Sequence, residues 1–142
     1  MTDAMIPGDL RDAFDAYERA IVANDLDALD AFFAPGDDTL RGDTAGLLIG
    51  HDAISGFRAL RGGVPPRQIT EVHYRPLARG GEAVVSGSSE QSTDGDVALL
   101  VSVSAFRGGG RGLQTQVWQR IDGRWLIVVA HVTPRTLSLI HI

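Results

Sequence analysis

The 142-residue sequence contains no cysteine and no lysine, so all 13 of its basic residues are arginine. Without cysteine the chain cannot form disulfides, thiolate zinc sites, iron–sulfur clusters or a thiol nucleophile. Without lysine it cannot form a Schiff base, attach pyridoxal phosphate or build a P-loop. Any chemistry must therefore rest on oxygen, amide, imidazole and guanidinium groups.

Long apolar runs and positive charge are also scarce. No uncharged apolar stretch approaches the length of about 18 residues that a membrane span requires, and the N-terminus lacks the pattern of a signal peptide. The net charge of −5 argues against nucleic acid or an anionic membrane as a partner. We expect one cytoplasmic domain over residues 1–142, with residues 1–9 and 134–142 as flanking tails.

The first part of the chain has the 3.6-residue apolar period of amphipathic helices. One face of a first helix collects Leu10, Phe14, Tyr17 and Ile21, while Glu18 falls on its polar side. A second short helix is capped by Asn24-Asp25 and buries Leu26, Leu29 and Phe33. A third helix opens at Gly50-His51-Asp52 and ends at Gly62-Gly63, because Pro65-Pro66 bars its continuation.

After Pro66 the apolar period changes to two residues, which is typical of β-strands. Five strands are predicted, at residues 68–77, 82–89, 96–107, 113–120 and 125–133, after a short extended segment at 39–41. Short turns make successive strands antiparallel, and the third is expected inside the sheet because both its faces are apolar. The sequence predicts an α+β fold in which a helical hairpin and a third helix close a strongly curved antiparallel sheet into a cone-shaped barrel.

Two polar side chains before the sheet are candidates for chemistry. Tyr17, on a buried helix face, is either an ordinary core tyrosine or a proton donor in a pocket. Arg41 is either a solvated residue at a strand end or a guanidinium that binds a carboxylate. If both point inward, the cation favours the ionised phenol and lowers its pKa. Position alone favours the structural interpretation of both.

The last two strands add further candidates. Gln114, Gln116 and Trp118 alternate onto one face, where the amides could line either a pocket or a polar dimer interface. Two-residue alternation places His131 on one face with Ile127, where it is either a core histidine or a pocket residue.

The third helix and the histidines complete the set of candidates. Arg58 and Arg61 are expected at the surface, with carboxylate binding at the pocket mouth as the alternative. The four histidines have no spacing typical of a metal site, so none is predicted.

Five stretches follow one another in a characteristic order. They are Ala13-Phe14-x-x-Tyr17-Glu18-x-Ala20; Thr39-Leu40-Arg41; Gly50-x-Asp52-x-Ile54-x-x-Phe57-Arg58-x-x-Arg61; Gln114-Thr115-Gln116-x-Trp118; and Gly123-Arg124-Trp125-x-Ile127-Val128-x-Ala130-His131-Val132. Together with the order of helices and strands, they resemble the nuclear transport factor 2-like (SnoaL-like) superfamily. Within it they are similar to the AtzH-like family of bacterial urea-derivative catabolism, which includes the oxalurate-catabolism proteins.

This resemblance implies a homodimer that packs through the sheet, and a pocket for a small anionic molecule inside the cone. It implies amidohydrolysis with decarboxylation of a small carboxylated urea or ureido acid in nitrogen catabolism, without a metal or an organic cofactor. The family's catalytic tyrosine and arginine match Tyr17 and Arg41. Around this pair we expect the substrate-binding residues Gln114, Gln116, Trp118, His131, Arg58 and Arg61.

The chain departs from the family pattern at Gly46, Leu47 and Leu113, where relatives carry polar residues. An alternative function is therefore a non-catalytic dimeric module that binds a small ligand, or an accessory subunit of an amidase. The apolar tail at 134–142 would then pack on a partner. A third possibility, an isomerase or dehydratase, needs an interior carboxylate, for which Glu71 and Glu90 are the candidates.

Overall fold

Three helices and six strands make up the computed structural model, which describes residues 6–80 and 94–135. The helices are α1 (Gly8–Ala23), α2 (Leu26–Phe32) and α3 (His51–Arg61). The strands are β1 (Leu40–Asp43), β2 (Gly46–Ile49), β3 (Arg67–Ala78), β4 (Val97–Phe106), β5 (Arg111–Ile121) and β6 (Arg124–Arg135). The predicted strand at 82–89 lies outside the described residues.

The helices form where the apolar period predicts them. The apolar face predicted for α1, from Leu10 to Ile21, is buried. Asn24 ends this helix with φ 54°, a left-handed conformation that its short polar side chain tolerates. Asp25 then caps α2, since its carboxylate accepts the backbone N–H of Ala28 at 3.2 Å.

The six strands form one mixed sheet in the order β2-β1-β6-β5-β4-β3. Consecutive strands pair antiparallel wherever they are neighbours, and β4 lies between β5 and β3, which confirms its predicted inner position. β1 and β6, by contrast, pair in parallel. The predicted α+β architecture is confirmed, but the prediction of a purely antiparallel sheet is wrong.

The sheet is also open, because β2 and β3 form its two edges, and it is not strongly curled as the cone-shaped barrel requires. The connection from α2 accounts for the parallel pairing. Phe33 forms a parallel bridge with Ile127, and the N–H of Ala34 donates to the Ile127 carbonyl at 2.9 Å. The chain thus enters β1 alongside β6 and in the same direction, and the β1–β2 hairpin extends the sheet at this edge.

All three helices contact one side of this sheet. We call that side the inner face, on which the Trp118 ring meets the rings of Tyr17 and Phe32 edge-on. The opposite side is the outer face.

Among the described residues, no helix is long and apolar enough to cross a membrane. The same part of the chain has no cluster of three His, Asp or Glu residues suited to a metal ion.

A β-bulge in β6 changes which of its residues reach the inner face. Val117 of β5 pairs with Val129, but the next residue, Trp118, pairs with Ile127. Val128 is therefore an extra residue on β6, with no partner of its own on β5. A single inserted residue reverses the in-and-out alternation of everything that follows it.

The bulge corrects one predicted site residue. Ile127, before the bulge, is fully buried on the inner face, and so is Ala130 after it. His131 therefore lies on the outer face and is exposed, paired in register with Thr115. The prediction that His131 shares a face with Ile127 is wrong, because strict alternation takes no account of the extra residue.

Candidate functional site

A cavity of about 200 Å³ lies between α1, the end of α3 and the inner face of the sheet. Its polar lining consists of one phenol, one amide and four guanidinium groups, contributed by Tyr17, Gln114, Arg41, Arg58, Arg61 and Arg67. Its apolar lining is Ile21, Val64, Pro65, Phe106, Ala130 and Val132. The cavity therefore combines a small volume with a high density of cationic donors.

The sheet register explains why the cavity opens over β6. Arg41 of β1 pairs with Ala130 of β6, and Ala130 pairs with Gln116 of β5. The methyl group of Ala130 therefore lies between the long polar side chains of Arg41 and Gln116 on the inner face. The small side chain of Ala130 leaves the space that the cavity occupies.

Tyr17 projects from the buried face of α1 into an aromatic cluster, with ring centroids 5.8–6.2 Å from those of Phe32, Phe33 and Trp118. Its hydroxyl forms no hydrogen bond with any residue that the structure describes. Burial raises the pKa of the phenol, and the adjacent Glu18 raises it further, against the opposing effect of the cavity arginines. The expectation that arginine lowers this pKa is wrong in net effect, because desolvation of the phenolate outweighs its attraction to the cations. The phenol therefore remains protonated at neutral pH.

Arg41 is buried and held from two sides. Its Nη1 donates to the Asp43 carboxylate at 3.0 Å, and its guanidinium lies 4.8 Å from the centre of the Phe57 ring. The hydrogen bond from Arg41 holds the pKa of Asp43 below its usual value. Because Asp43 also accepts the N–H groups of Ala45 and Gly46, the turn after β1 fixes the position of the guanidinium. The sequence analysis did not identify this pair, although residues two apart on a strand lie on the same face.

Arg58 is buried, with only 3% of its surface exposed, which corrects the prediction that it lies at the surface. Its Nη1 donates to Asp30 at 3.0 Å, and its guanidinium lies 4.8 Å from the Phe33 ring centre. Ser55 donates to the same carboxylate at 2.8 Å. Burial lowers the pKa of Arg58, while Asp30 opposes that shift. Asp30 of α2, whose side chain is 34% exposed, thus forms a partly buried ion pair that the α3 sequence alone does not reveal.

The sequence analysis missed Arg67, which lines the cavity, and its partner Glu18, which lies behind it. Arg67 donates to both carboxylate oxygens of Glu18, at 3.0 Å from Nε and 2.8 Å from Nη2. The Gln114 amide donates to Glu18 at 3.1 Å and to the Ser102 hydroxyl at 3.2 Å. Glu18 is therefore an inward residue at the edge of the helix face, and its assignment to the polar side is corrected. Nothing in the sequence near Arg67 indicates this pairing.

Arg61 lines the cavity from the last turn of α3 and is partly buried. Its Nε donates to the Gly62 carbonyl at 3.2 Å, and its guanidinium lies 5.4 Å from the Phe57 ring centre. Burial and the nearby charges of Arg41 and Arg58 lower its pKa. Within residues 6–80 and 94–135, no carboxylate forms an ion pair with Arg61.

The remaining predicted site residues lie beside the cavity or away from it. Gln116 and Trp118 are fully buried on the inner face, where the indole N–H donates to the Gln116 amide oxygen at 3.0 Å. The Gln116 amide nitrogen has no partner in the described part of the chain. His131 faces away from the cavity, on the outer face. The structure thus brings together Tyr17, Arg41, Arg58, Arg61 and Gln114 out of the predicted set.

The departures from the family pattern do not fall on the cavity wall. Leu47 and Leu113 are 60% and 42% exposed, and Gly46 is exposed as well. None of these residues lines the cavity, so these changes leave its described polar groups intact.

Glu71, a candidate interior carboxylate, is exposed, and Glu90 lies outside the described residues.

Several solved structures are similar to this chain. A cystatin-like fold protein from Burkholderia xenovorans LB400 is 28% identical, with 92% of each chain covered and a TM-score of 0.71. A protein of the DUF3225 family from Pectobacterium atrosepticum SCRI1043 is 25% identical over 96% of this chain and 94% of its own, with a TM-score of 0.72. An NTF2-like protein from Pseudomonas putida KT2440 shares the fold at 15% identity, covering 94% and 87% of the two chains with a TM-score of 0.63.

A search of curated proteins with the sequence finds no match. A sequence model of the AtzH-like family, however, matches residues 1–136, which confirms the resemblance carried by the five stretches. The cavity, the fold and this match agree on a domain that binds small molecules. The chain belongs to the AtzH-like family.

Proposed function

We propose that the chain is a cytoplasmic, cofactor-independent amidohydrolase/decarboxylase that acts on a small carboxylated urea or ureido acid in nitrogen catabolism. The observation that carries this proposal is the juxtaposition of the Tyr17 phenol with four guanidinium groups in one cavity of about 200 Å³. A protonated phenol is a proton donor, and guanidinium groups bind carboxylates. Cleavage of the bond between a nitrogen and its carboxylate requires both a proton donor for the nitrogen and cationic groups that bind the carboxylate.

The reaction is simplest for a carboxylate bonded to nitrogen. Arg41 donates hydrogen bonds to the carboxylate and stabilises the charge that develops as the carbon–nitrogen bond breaks. The bonding electron pair stays on nitrogen, which takes the proton of Tyr17, and carbon dioxide leaves. The phenolate of Tyr17 then regains a proton from water. Burial supports this role of Tyr17, because it keeps the phenol protonated.

The carboxylates near the cavity serve to position other groups. Asp43, Asp30 and Glu18 each already accept hydrogen bonds from an arginine of the wall. A carboxylate whose oxygens already accept hydrogen bonds from a guanidinium is less available to accept a proton from water. The arrangement therefore supports proton donation to a leaving nitrogen as the main contribution of the protein.

The test is turnover by three variants. Carbon dioxide release from N-carboxylated ureas measures the step described, and ammonia release from oxalurate measures separate hydrolysis of an amide bond. Both are followed for wild type, Tyr17→Phe, Arg41→Gln and the control Tyr74→Phe. General acid catalysis contributes about 10²- to 10⁴-fold, so we expect a loss in that range for Tyr17→Phe. The Tyr74 variant should retain activity, because Tyr74 does not line the cavity. Full activity of both Tyr17→Phe and Arg41→Gln would overturn the mechanism.

A second candidate is a non-catalytic module, either a dimeric ligand binder or an accessory subunit of an amidase. Its support is the exposed apolar surface of β2, where Leu47 and Ile49 are each 60% exposed. Co-purification with an amidase, without turnover by the isolated chain, would favour this function. A homogeneous protein that turns over a carboxylated urea alone would exclude it.

We also propose that two copies of the chain pair through the outer face of the sheet. Five apolar side chains, one from each of five neighbouring strands, lie side by side on that face. They belong to Ile49, Leu40, Val129, Val117 and Leu99. Stacked sheets bury rows of this kind against each other. A second copy fits because a two-fold interface places the same patch on both partners.

A further inference from the structure

The five residues that connect α3 to β3 run along one side of the cavity. They are Gly62, Gly63, Val64, Pro65 and Pro66, and they belong to neither a helix nor a strand. Val64 and Pro65 line the cavity, and Val64 also packs against the core. Pro65 is exposed to solvent at the same time. This segment, which we call the strap, therefore separates the cavity from solvent at this side.

The strap is anchored at its ends but not in its middle. At one end it continues directly from α3. Near the other end, the Pro66 carbonyl accepts the N–H of Arg107 at 2.9 Å. Gly63 and Val64 form no hydrogen bond with any residue that the structure describes. Packing alone holds the middle of the strap in place.

The sequence of the strap divides it into a flexible part and a stiff part. Gly62 has φ 79° and ψ −169°, a conformation that essentially only glycine adopts. A second glycine follows it and adds backbone freedom. The two prolines fix their own φ angles, and Val64, which precedes a proline, is restricted to extended conformations. Rotation at the two glycines therefore moves Val64 and Pro65 together, toward the cavity or away from it.

Asn24 lies beneath this pair of glycines. A Cβ atom added to Gly63 would be 3.6 Å from both Cβ and Cγ of Asn24. The Oδ1 atom of Asn24 is buried and accepts no hydrogen bond from the described part of the chain. A buried acceptor without a donor destabilises the conformation that buries it. Movement of Gly63 away from Asn24 would admit water to this oxygen and remove that cost.

We propose that the strap is a hinged cover of the cavity, which opens by rotation at Gly62 and Gly63 and closes when Val64 packs against the core. The structure describes the closed position. The proposal concerns access to the cavity, so it goes beyond the proposed function and holds for any small molecule that the cavity takes. It requires that reagents reach the cavity wall at a rate set by opening of the strap.

Because the chain has no cysteine, a single introduced thiol reports on this opening. Ala130→Cys places the thiol on the cavity wall, and Leu60→Cys places it at a position that is 90% exposed. Labelling of the folded proteins by methyl methanethiosulfonate is followed by mass spectrometry. An open state populated at about 0.1–10% should make Ala130→Cys react about 10- to 1,000-fold more slowly than Leu60→Cys. Similar rates for the two thiols, or full protection of Ala130→Cys, would overturn the proposal.

The hinge is tested in the Ala130→Cys background. Alanine at position 62 is strained in the closed conformation, so Gly62→Ala should speed labelling by about 5- to 100-fold, the ratio that corresponds to one strained residue. The control is Gly56→Ala, the same substitution on α3, where the added methyl group meets open space. It should leave the rate unchanged. Equal rates in the two variants would overturn the assignment of the hinge.

A disulfide provides the opposite test, because it holds the strap closed. The separation of 3.6 Å between the Cβ positions of residues 24 and 63 lies within the range of about 3.5–4.5 Å that a disulfide needs. Asn24→Cys and Gly63→Cys are added to Ala130→Cys, and peptide mapping verifies the pairing after oxidation. The matched control carries Asn24→Ser and Gly63→Ser, which cannot form the bond.

We expect the disulfide to slow labelling at position 130 by about 10-fold or more relative to the serine control, because the open state is no longer populated. Equal rates with and without the disulfide would overturn the proposal. These experiments need neither a ligand nor turnover, so failure of the proposed function would leave their outcomes unchanged.

Discussion

Arg67 and Glu18, 49 positions apart in the sequence, form a two-point ion pair that joins β3 to α1. Their side chains are only 6% and 11% exposed. A pair with this geometry is hydrogen-bonded at both carboxylate oxygens, which offsets part of the cost of burying the charges. It closes one wall of the cavity and positions Gln114, which donates to the same carboxylate.

Removing one partner of this pair should strongly destabilise the protein. We expect Glu18→Gln to lower the free energy of unfolding by about 3 kcal/mol, because Arg67 is left as a buried charge without a partner. Urea unfolding followed by tryptophan fluorescence measures the change. The control is Asp15→Asn, whose partly exposed pair with Arg11 is worth about 0.5 kcal/mol. Similar losses in the two variants would show that the pair of Glu18 behaves as a surface pair.

Alkaline pH should destabilise the fold through Tyr17. The phenol has a raised pKa in the folded state, so the folded state holds its proton more tightly than the unfolded chain. This stabilisation is complete below the unfolded pKa and is lost as pH rises through the folded pKa. Comparing unfolding free energies at about pH 9 and about pH 11 tests this, since a free tyrosine ionises near pH 10.

Tyr17→Phe should show a smaller alkaline loss of stability than wild type. Part of the loss should remain, because burial also raises the pKa of Tyr74. Identical losses in wild type and in the variant would contradict a raised pKa for Tyr17.

Adjacent residues of β6 should respond in opposite ways to substitution. His131→Ala is expected to retain ligand binding and turnover, because the bulge turns His131 to the outer face. Ala130→Val adds two methyl groups at the cavity wall and should weaken binding by occluding that space. Both are measured by calorimetry with the small carboxylate that binds wild type most tightly. Loss of binding in His131→Ala, with binding kept in Ala130→Val, would mean that the alternation is not reversed.

A charge on the outer face should separate the proposed dimer. We expect Val129→Glu to shift the protein from dimer to monomer in sedimentation experiments, because two carboxylates would be buried against an apolar row. Leu60→Glu is the matched control, since Leu60 is 90% exposed on α3 and away from the sheet. A wild type that sediments as a monomer, or dissociation caused equally by both substitutions, would contradict pairing through this face.

The parts of the fold that were predictable are those that local periodicity determines. Leu10 to Ile21 mark the buried face of α1 because a helix repeats every 3.6 residues wherever it lies. The cap at Asp25 is equally local, since it needs only an N–H three residues further on. Tyr17 and Arg41 could be named as a pair from the family resemblance, although their distance in space depends on packing.

The parts that escaped prediction depend on residues distant in the sequence. The bulge at Val128 appears only when β5 is placed beside β6, because the alternation of β6 by itself looks regular. Arg58 is buried because Asp30 of α2 meets it, and Glu18 turns inward because Arg67 does. Charged residues on a helix are ordinarily exposed, so burial by a distant partner leaves no local signal.

The size of the cavity limits how tightly any occupant can be held. A volume of about 200 Å³ equals that of about six or seven water molecules in the liquid. Very small ligands gain at most about 1.5 kcal/mol per non-hydrogen atom. Six or seven such atoms therefore give at most about 9 to 10.5 kcal/mol, so the dissociation constant cannot fall below about 20 to 250 nanomolar. Ligand screens should therefore extend to millimolar concentrations, because an occupant that falls short of this ceiling binds correspondingly more weakly.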